Sequence, residues 1–276
     1  MSSTVAAVDL PRLEQRGRVT QARVVLSEWT KLHSLRSTRW SLLIATVLAI
    51  GLPALFAAVT SSHWGSMSPH ERADRHPLDI ALAGVNVAQL AIAVLGVLVI
   101  TGEYSTGMIR ASFTAVPRRP PVLWGKIGVF AAVTFALMLP AVVIAFFVSQ
   151  AILSKHDILQ ISFSHPGVAR SVVGGAGYLV LLGIFALAIG AIVRNTAAGI
   201  AAFAALFFVI PPLMNILPAR WNDAISPFLP DAAGRDMFSL TTGAHDLHPW
   251  PGFLLFTGYT VLAVTIAALL LVRRDT

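Results

Sequence analysis

Six stretches of about 20 apolar residues each constrain this chain more than any motif it carries. They run approximately from Ser41 to Val59, Asp79 to Ile100, Lys126 to Leu153, Ala169 to Val193, Ala197 to Leu217 and Pro251 to Val272. At about 1.5 Å of rise per residue, a helix of that length crosses a hydrocarbon core of about 30 Å. Only 12% of the 276 residues are charged, against about 25% in an ordinary soluble domain, so the chain cannot cover a soluble surface. The expectation is an all-α integral membrane protein with six transmembrane helices. Residues 1–40 form a polar tail, and residues 41–276 form one membrane domain. Too little chain remains outside the spans for a second catalytic domain of about 100 residues, so any soluble engine is another polypeptide.

Charge fixes the expected topology. With six spans both termini share a side. That side holds 14 of the 20 Lys and Arg residues and 5 of the 13 acids, whereas the opposite side holds 6 and 8. The positive-inside rule then places both termini in the cytoplasm. The formal net charge of +7 is thus topological, and no separate basic block points to nucleic acid. The first forty residues are polar and basic, with no signal-peptide pattern. Arg194, Asn195 and Thr196 alone separate the fourth and fifth spans, which predicts a tight hairpin.

Two segments on the terminal side carry information. Ahead of the first span, Ala22, Val25, Trp29 and Leu32 recur at helical spacing, with Arg23, Ser27, Lys31 and Ser34 opposite them. This predicts an amphipathic interfacial helix, with Trp29 and Trp40 at headgroup depth and basic residues meeting anionic lipid. Between spans two and three lie Gly102, Glu103, Tyr104, a short predicted helix over 107–115 that includes Arg110, and the cluster Pro117, Arg118, Arg119, Pro120, Pro121. That loop is built to present a surface, although Glu103 and its arginines also read as solvated span ends.

Inside the spans, Asn86 and Gln89 share a face of the second helix, and Asn215 lies at the end of the fifth. They either bond across helices or line a cavity. Pro211 and Pro212 predict a kink in the fifth span. Small residues spaced four apart, among them Gly175, Ala186, Gly190 and Ala201, predict close helix contacts in lipid.

Several chemistries are excluded or disfavoured. Cysteine is absent, so neither thiolate metal sites nor cysteine nucleophiles exist. No histidine–carboxylate spacing requires a metal. The P-loop pattern fails at Gly125-Lys126, because Pro120 stands where its first glycine belongs and Ile127 follows the lysine. No span carries an ionisable residue at its centre, which argues against a proton-coupled carrier.

The order of these elements resembles the type-2 ABC-transporter permease family. The matching words are Ser27-Glu28-Trp29-Thr30-Lys31-Leu32, Gly102-Glu103-Tyr104, Ile109-Arg110, Pro117-Arg118-Arg119 and Lys126. The resemblance implies an ATP-driven exporter subunit that is not itself an enzyme and binds no cofactor. ATP and Mg would sit on a partner ABC ATPase, two copies of which pair with two permease chains, identical or homologous. It further implies a cytoplasmic coupling helix between spans two and three. The expected ATPase-coupling surface comprises Trp29, Lys31, Glu103, Tyr104, Arg110, Arg118 and Arg119. Asn86, Gln89 and Asn215 would lie near the translocation path, and residues 218–249 would form an outer segment apolar enough to dip into the membrane edge. The competing reading is an ATP-independent secondary carrier or a structural subunit of an envelope complex.

Overall fold

The computed structural model describes residues 20–73, 75–107, 120–154, 160–240, 243 and 246–273. The described residues contain helices and no strand. Among the described residues, six helices are long and apolar enough to cross a membrane. They are Arg36–His63, Pro77–Ser105, Pro120–Ser154, Val168–Val193, a fifth running from Thr196 to Met214, and Pro249–Arg273. The chain is therefore a multi-pass membrane protein by length and composition. The helix Gln21–Ser34 precedes the first span. Residues 108–119, where the coupling helix is expected, lie outside the described residues.

The fourth span is the axis of the bundle, with 67% of its most apolar window buried against 17% for the fifth. Its contact with the second span is the most extensive among the described residues, and glycines make it so close. A Cβ on Gly96 would overlap the Gly183 carbonyl oxygen, and a Cβ on Gly190 would lie 3.2 Å from the Val97 Cα. Gly84 meets the Ala49 carbonyl of the first span in the same way. In lipid there is no apolar-solvent penalty to drive helices together, so contact area gained by close backbones carries the association. Gly175, Ala186 and Gly190 all sit in such contacts, whereas Ala201 faces outward on the fifth span.

The 194–196 hairpin is present. Arg194 closes the fourth span in the left-handed region at φ 60°, and the Asn195 side chain caps the fifth by accepting from the Ala198 amide at 3.0 Å. The fifth span is irregular one turn before its prolines, with a π-helical turn over Ala205–Val209. Pro211 and Pro212 lack an N–H and crowd the carbonyls four residues back. Widening the preceding turn, so that the Ile210 amide bonds the Ala205 carbonyl, relieves that crowding.

Between spans five and six, short helices at Ala219–Ile225 and Pro230–Arg235, each followed by a 3₁₀ turn, fold back onto the far end of the bundle. Ala233, Met237 and Phe238 are buried there against spans four and six. A Cβ on Gly174 would lie 2.8 Å from the Met237 carbonyl oxygen, so this connection is packed on the fourth span as closely as the spans pack on each other. Arg170 fastens it further, donating to the Met237 and Ser239 carbonyls at 2.8 Å each.

Candidate functional site

The sequence places Glu28 and Lys31 three apart on the helix before the first span, Glu103 in the last turn of the second and Lys126 near the start of the third. The fold gathers all four. Lys126 donates to Glu28 Oε2 at 2.5 Å and to Glu103 Oε1 at 2.9 Å, while Lys31 donates to Glu28 Oε1 at 2.7 Å and to Glu103 Oε1 at 3.0 Å. Cations and anions alternate around a square of zero net charge. Glu28 and Lys126 are 3% exposed and Glu103 8%.

Burial of this kind is tolerated only when each ion is compensated. Desolvation pushes the Lys31 ammonium down, but its hydrogen bonds to Glu28 and Glu103, with their charges, outweigh that and hold its pKa above the ordinary lysine value. Glu103 Oε2 is buried without a donor among the described residues. An apolar cavity of about 240 Å³ opens beside the square, between Leu35 and Thr38 on one side and Leu98 and Val99 on the other.

The surface helix docks through a different face from the one its apolar spacing predicts. Val24, Glu28 and Leu32, spaced four apart, are buried, while Val25 and Trp29 are exposed, as is Leu26. The reason is that Glu28 is neutralised by two lysines, so a carboxylate occupies the centre of the buried stripe. Gly125 makes room, since a Cβ there would stand 3.0 Å from Val24 Cγ1. The Gln21 amide adds a hydrogen bond to the Pro121 carbonyl at 3.1 Å. Lys31, expected on the solvated face, closes the ion square instead.

The other residues expected at the coupling surface fall into two groups. Glu103 points inward and Tyr104 is half-buried beneath the Arg194 guanidinium, whose carbon lies 5.1 Å from the ring centre. Trp29 remains exposed and stacks on His33. Arg110, Arg118 and Arg119 lie outside the described residues. Glu28 and Lys126 were not singled out by spacing, although the pair Glu28 and Lys31 at i and i+3 and the lysine next to Gly125 are the signals that could have found them.

The polar residues of the spans separate. Gln89 is fully buried, and its Oε1 accepts from the Tyr178 hydroxyl at 2.6 Å. Tyr178, one of three tyrosines, also stands 3.5 Å from Asp231 Oδ1, and Asp231 is ion-paired with Arg235 at 3.0 Å. A polar chain thus runs from the second span through the fourth to the connection between spans five and six. Asn86, one turn nearer the far end, lines a cavity of about 350 Å³ with Asp79, Asp231, Asp236 and Asp246. Asn215 is exposed at the end of the fifth span and does not line that cavity. Searches of family models and of curated proteins return no match to the chain.

Proposed function

We propose that this chain is the membrane-spanning permease subunit of an ATP-driven ABC transporter, an exporter of apolar or amphipathic substrate powered by a separate ATPase. The observation that carries the reading is the buried ion square. Two of its members flank the loop between spans two and three, Glu103 in the last turn of the second span and Lys126 in the second turn of the third, and Glu28 and Lys31 tie the surface helix to both. Charge pairs around the buried Glu28, Glu103 and Lys126, with Lys31 half-buried at one corner, hold the surface helix and the two span ends together. A force applied to that loop is therefore delivered to three membrane elements together, which is what a lever driven by an external motor requires.

The order of sequence elements supports the same reading; on that reading the phosphate cradle, for which the sequence has no P-loop, belongs to another chain. In this account ATP and Mg sit on two partner ATPase chains, a second permease copy completes the pathway, both termini are cytoplasmic and the complex lies in a bacterial plasma membrane. The role of Glu28, Lys31, Glu103 and Lys126 is mechanical, with no bond chemistry. Close small-residue contacts between spans two and four make that pair a stiff element against which other helices can tilt.

The test is reconstitution. The chain purified in mild detergent should carry a stoichiometric nucleotide-binding protein, and vesicles containing both should move substrate only with ATP and a hydrolysis-competent partner. A chain that purifies without such a partner and drives flux from an ion gradient alone would show the secondary-carrier reading to be correct.

A further inference from the structure

The surface helix ends at Ser34, and Leu35, in extended backbone, turns the chain into the first span at Arg36. The third span packs against both helices. Ala132 and Ala136, four apart on that span and both exposed, are too small to fill the angle, so a groove of about 430 Å³ remains where the three helices meet. Most of it is apolar, with Leu32 and Leu42 buried in it and Leu137 exposed along one side.

Its other lining residues are polar or amphipathic. Trp29 and His33 stack with ring centres 6.5 Å apart. Arg39 donates from Nε to the His33 carbonyl oxygen at 3.0 Å, which fixes the guanidinium, while its two terminal nitrogens make no hydrogen bond among the described residues. Arg36, also exposed, adds a second positive charge at the same bend. No carboxylate lines the groove among the described residues, and Glu28, the one acid of the surface helix, is engaged by Lys31 and Lys126.

The groove also has a depth. Trp29, Trp40 and Trp124 are all exposed at this end of the bundle, where tryptophans mark the headgroup layer. Arg39 adjoins Trp40 in sequence, whereas Leu137 lies about 20 Å beyond Trp124 along the third span. An anchored cation at headgroup depth therefore continues into an apolar slot at acyl-chain depth. An ordinary lipid-facing helix offers only the second. A planar guanidinium with two unused nitrogens suits a phosphate, which it can hold through parallel charge-assisted bonds. A zwitterionic headgroup would bring its own cation up to Arg36 and Arg39, and an anionic one would not.

We propose that this groove holds one anionic phospholipid, with an acyl chain along Leu42 and Leu137 and the phosphate accepting from the terminal nitrogens of Arg39. Bound lipid fastens the surface helix to spans one and three by mass action. The site does not rest on the ATPase reading, because its chemistry is that of the membrane the chain spans.

The experiment titrates the full chain, purified in mild detergent, with dioleoyl phosphatidylglycerol or dioleoyl phosphatidylcholine and weighs the complexes intact by native mass spectrometry. Phosphatidylglycerol should saturate at one molecule per chain. Phosphatidylcholine should bind at least about tenfold more weakly, the scale of a charge-assisted hydrogen bond. Arg39→Gln should lower the phosphatidylglycerol affinity by a similar factor, whereas Arg23→Gln, exposed on the surface helix and outside the groove, should leave it unchanged. Ala136→Phe, which adds bulk at an exposed position of the groove, should lower the affinity for both lipids and keeps the test open if Arg39→Gln fails to fold. Equal affinity for the two lipids in the parent, binding without a plateau at one, or parent-like affinity in either folded groove variant would overturn the proposal. Unchanged lipid binding with loss of a co-purifying protein in Ala136→Phe would make the groove a protein-docking face, and would overturn it as well.

Discussion

Lys126 and Glu28, 98 positions apart in sequence, meet at 2.5 Å with only 3% of each residue exposed. A lysine at the start of one span is thereby fastened to a helix that precedes another, and neither ion has water to fall back on. Removal of one partner leaves an uncompensated buried charge, at a cost of about 3–5 kcal/mol. Lys126→Met should therefore lower the thermal midpoint in detergent substantially. In a double-mutant cycle, Lys126→Met with Glu28→Gln should cost less than the sum of the two single changes, since the second removes the charge the first strands. Strict additivity of the two midpoint shifts would mean the pair is not coupled.

Gly96 lies against the Gly183 carbonyl, where a Cβ has no room, whereas Gly102 on the same helix has nothing within 4 Å of its would-be Cβ. Gly96→Ala should reduce the yield of monodisperse protein sharply. Gly102→Ala should be neutral or stabilising by up to about 1 kcal/mol, from helix propensity alone. Size-exclusion profiles of the two variants decide this, and matching profiles would contradict the close packing of spans two and four.

The Tyr178 hydroxyl is the donor to Gln89 Oε1 in a fully buried setting. Tyr178→Phe leaves that oxygen without it, at a cost of about 1–3 kcal/mol. Adding Gln89→Met, which removes the stranded amide at similar volume, should recover much of the loss. Thermal melts of the single and double variants make the comparison, and a double variant less stable than Tyr178→Phe would remove the hydrogen bond from the account.

Six spans and the 194–196 hairpin were legible because both rest on local signals, namely run length and a polar break between apolar runs. Span limits shift by several residues, since helices such as Arg36–His63 continue into polar flanks that hydropathy alone excludes. The ion square was not legible, because its four members are distributed over three segments and only tertiary packing shows that Glu28 and Lys31 meet Glu103 and Lys126. For the same reason the docked face of the surface helix was misplaced, as Glu28 reads as polar until its counter-ions are known. The π turn at Ala205–Val209 answers steric crowding from Pro211 and Pro212 and has no signature of its own.

Stability should depend on pH through Asp236, whose folded pKa is raised to about 7 by burial and by the charge of Asp246. The Leu247 backbone amide donates to the carboxylate and offsets part of that rise; Asp79, Asp231 and Arg235 line the same cavity, and Arg170 reaches only the Asp236 backbone. A carboxyl with a raised folded pKa binds its proton more tightly in the native state. Its contribution is therefore fully present below the unfolded value of about 3.9 and is lost as pH rises through about 7. The thermal midpoint should fall over that window in the parent protein, and Asp236→Asn should flatten the decline. An equally steep decline in the variant would place its origin elsewhere.

The central claim is that the surface helix and the ends of spans two and three move as one body under an ATP-driven partner. Because the chain has no cysteine, spin labels can be placed at Leu26, Ser105 and Leu269, all exposed, in nanodiscs with the proposed ATPase partner bound. Pulsed electron–electron resonance distances should leave the Leu26–Ser105 separation unchanged when ATP is trapped, while the Leu269–Ser105 separation shifts by several ångströms. A change within the first pair, or no ATP-dependent change in the second, would contradict the account.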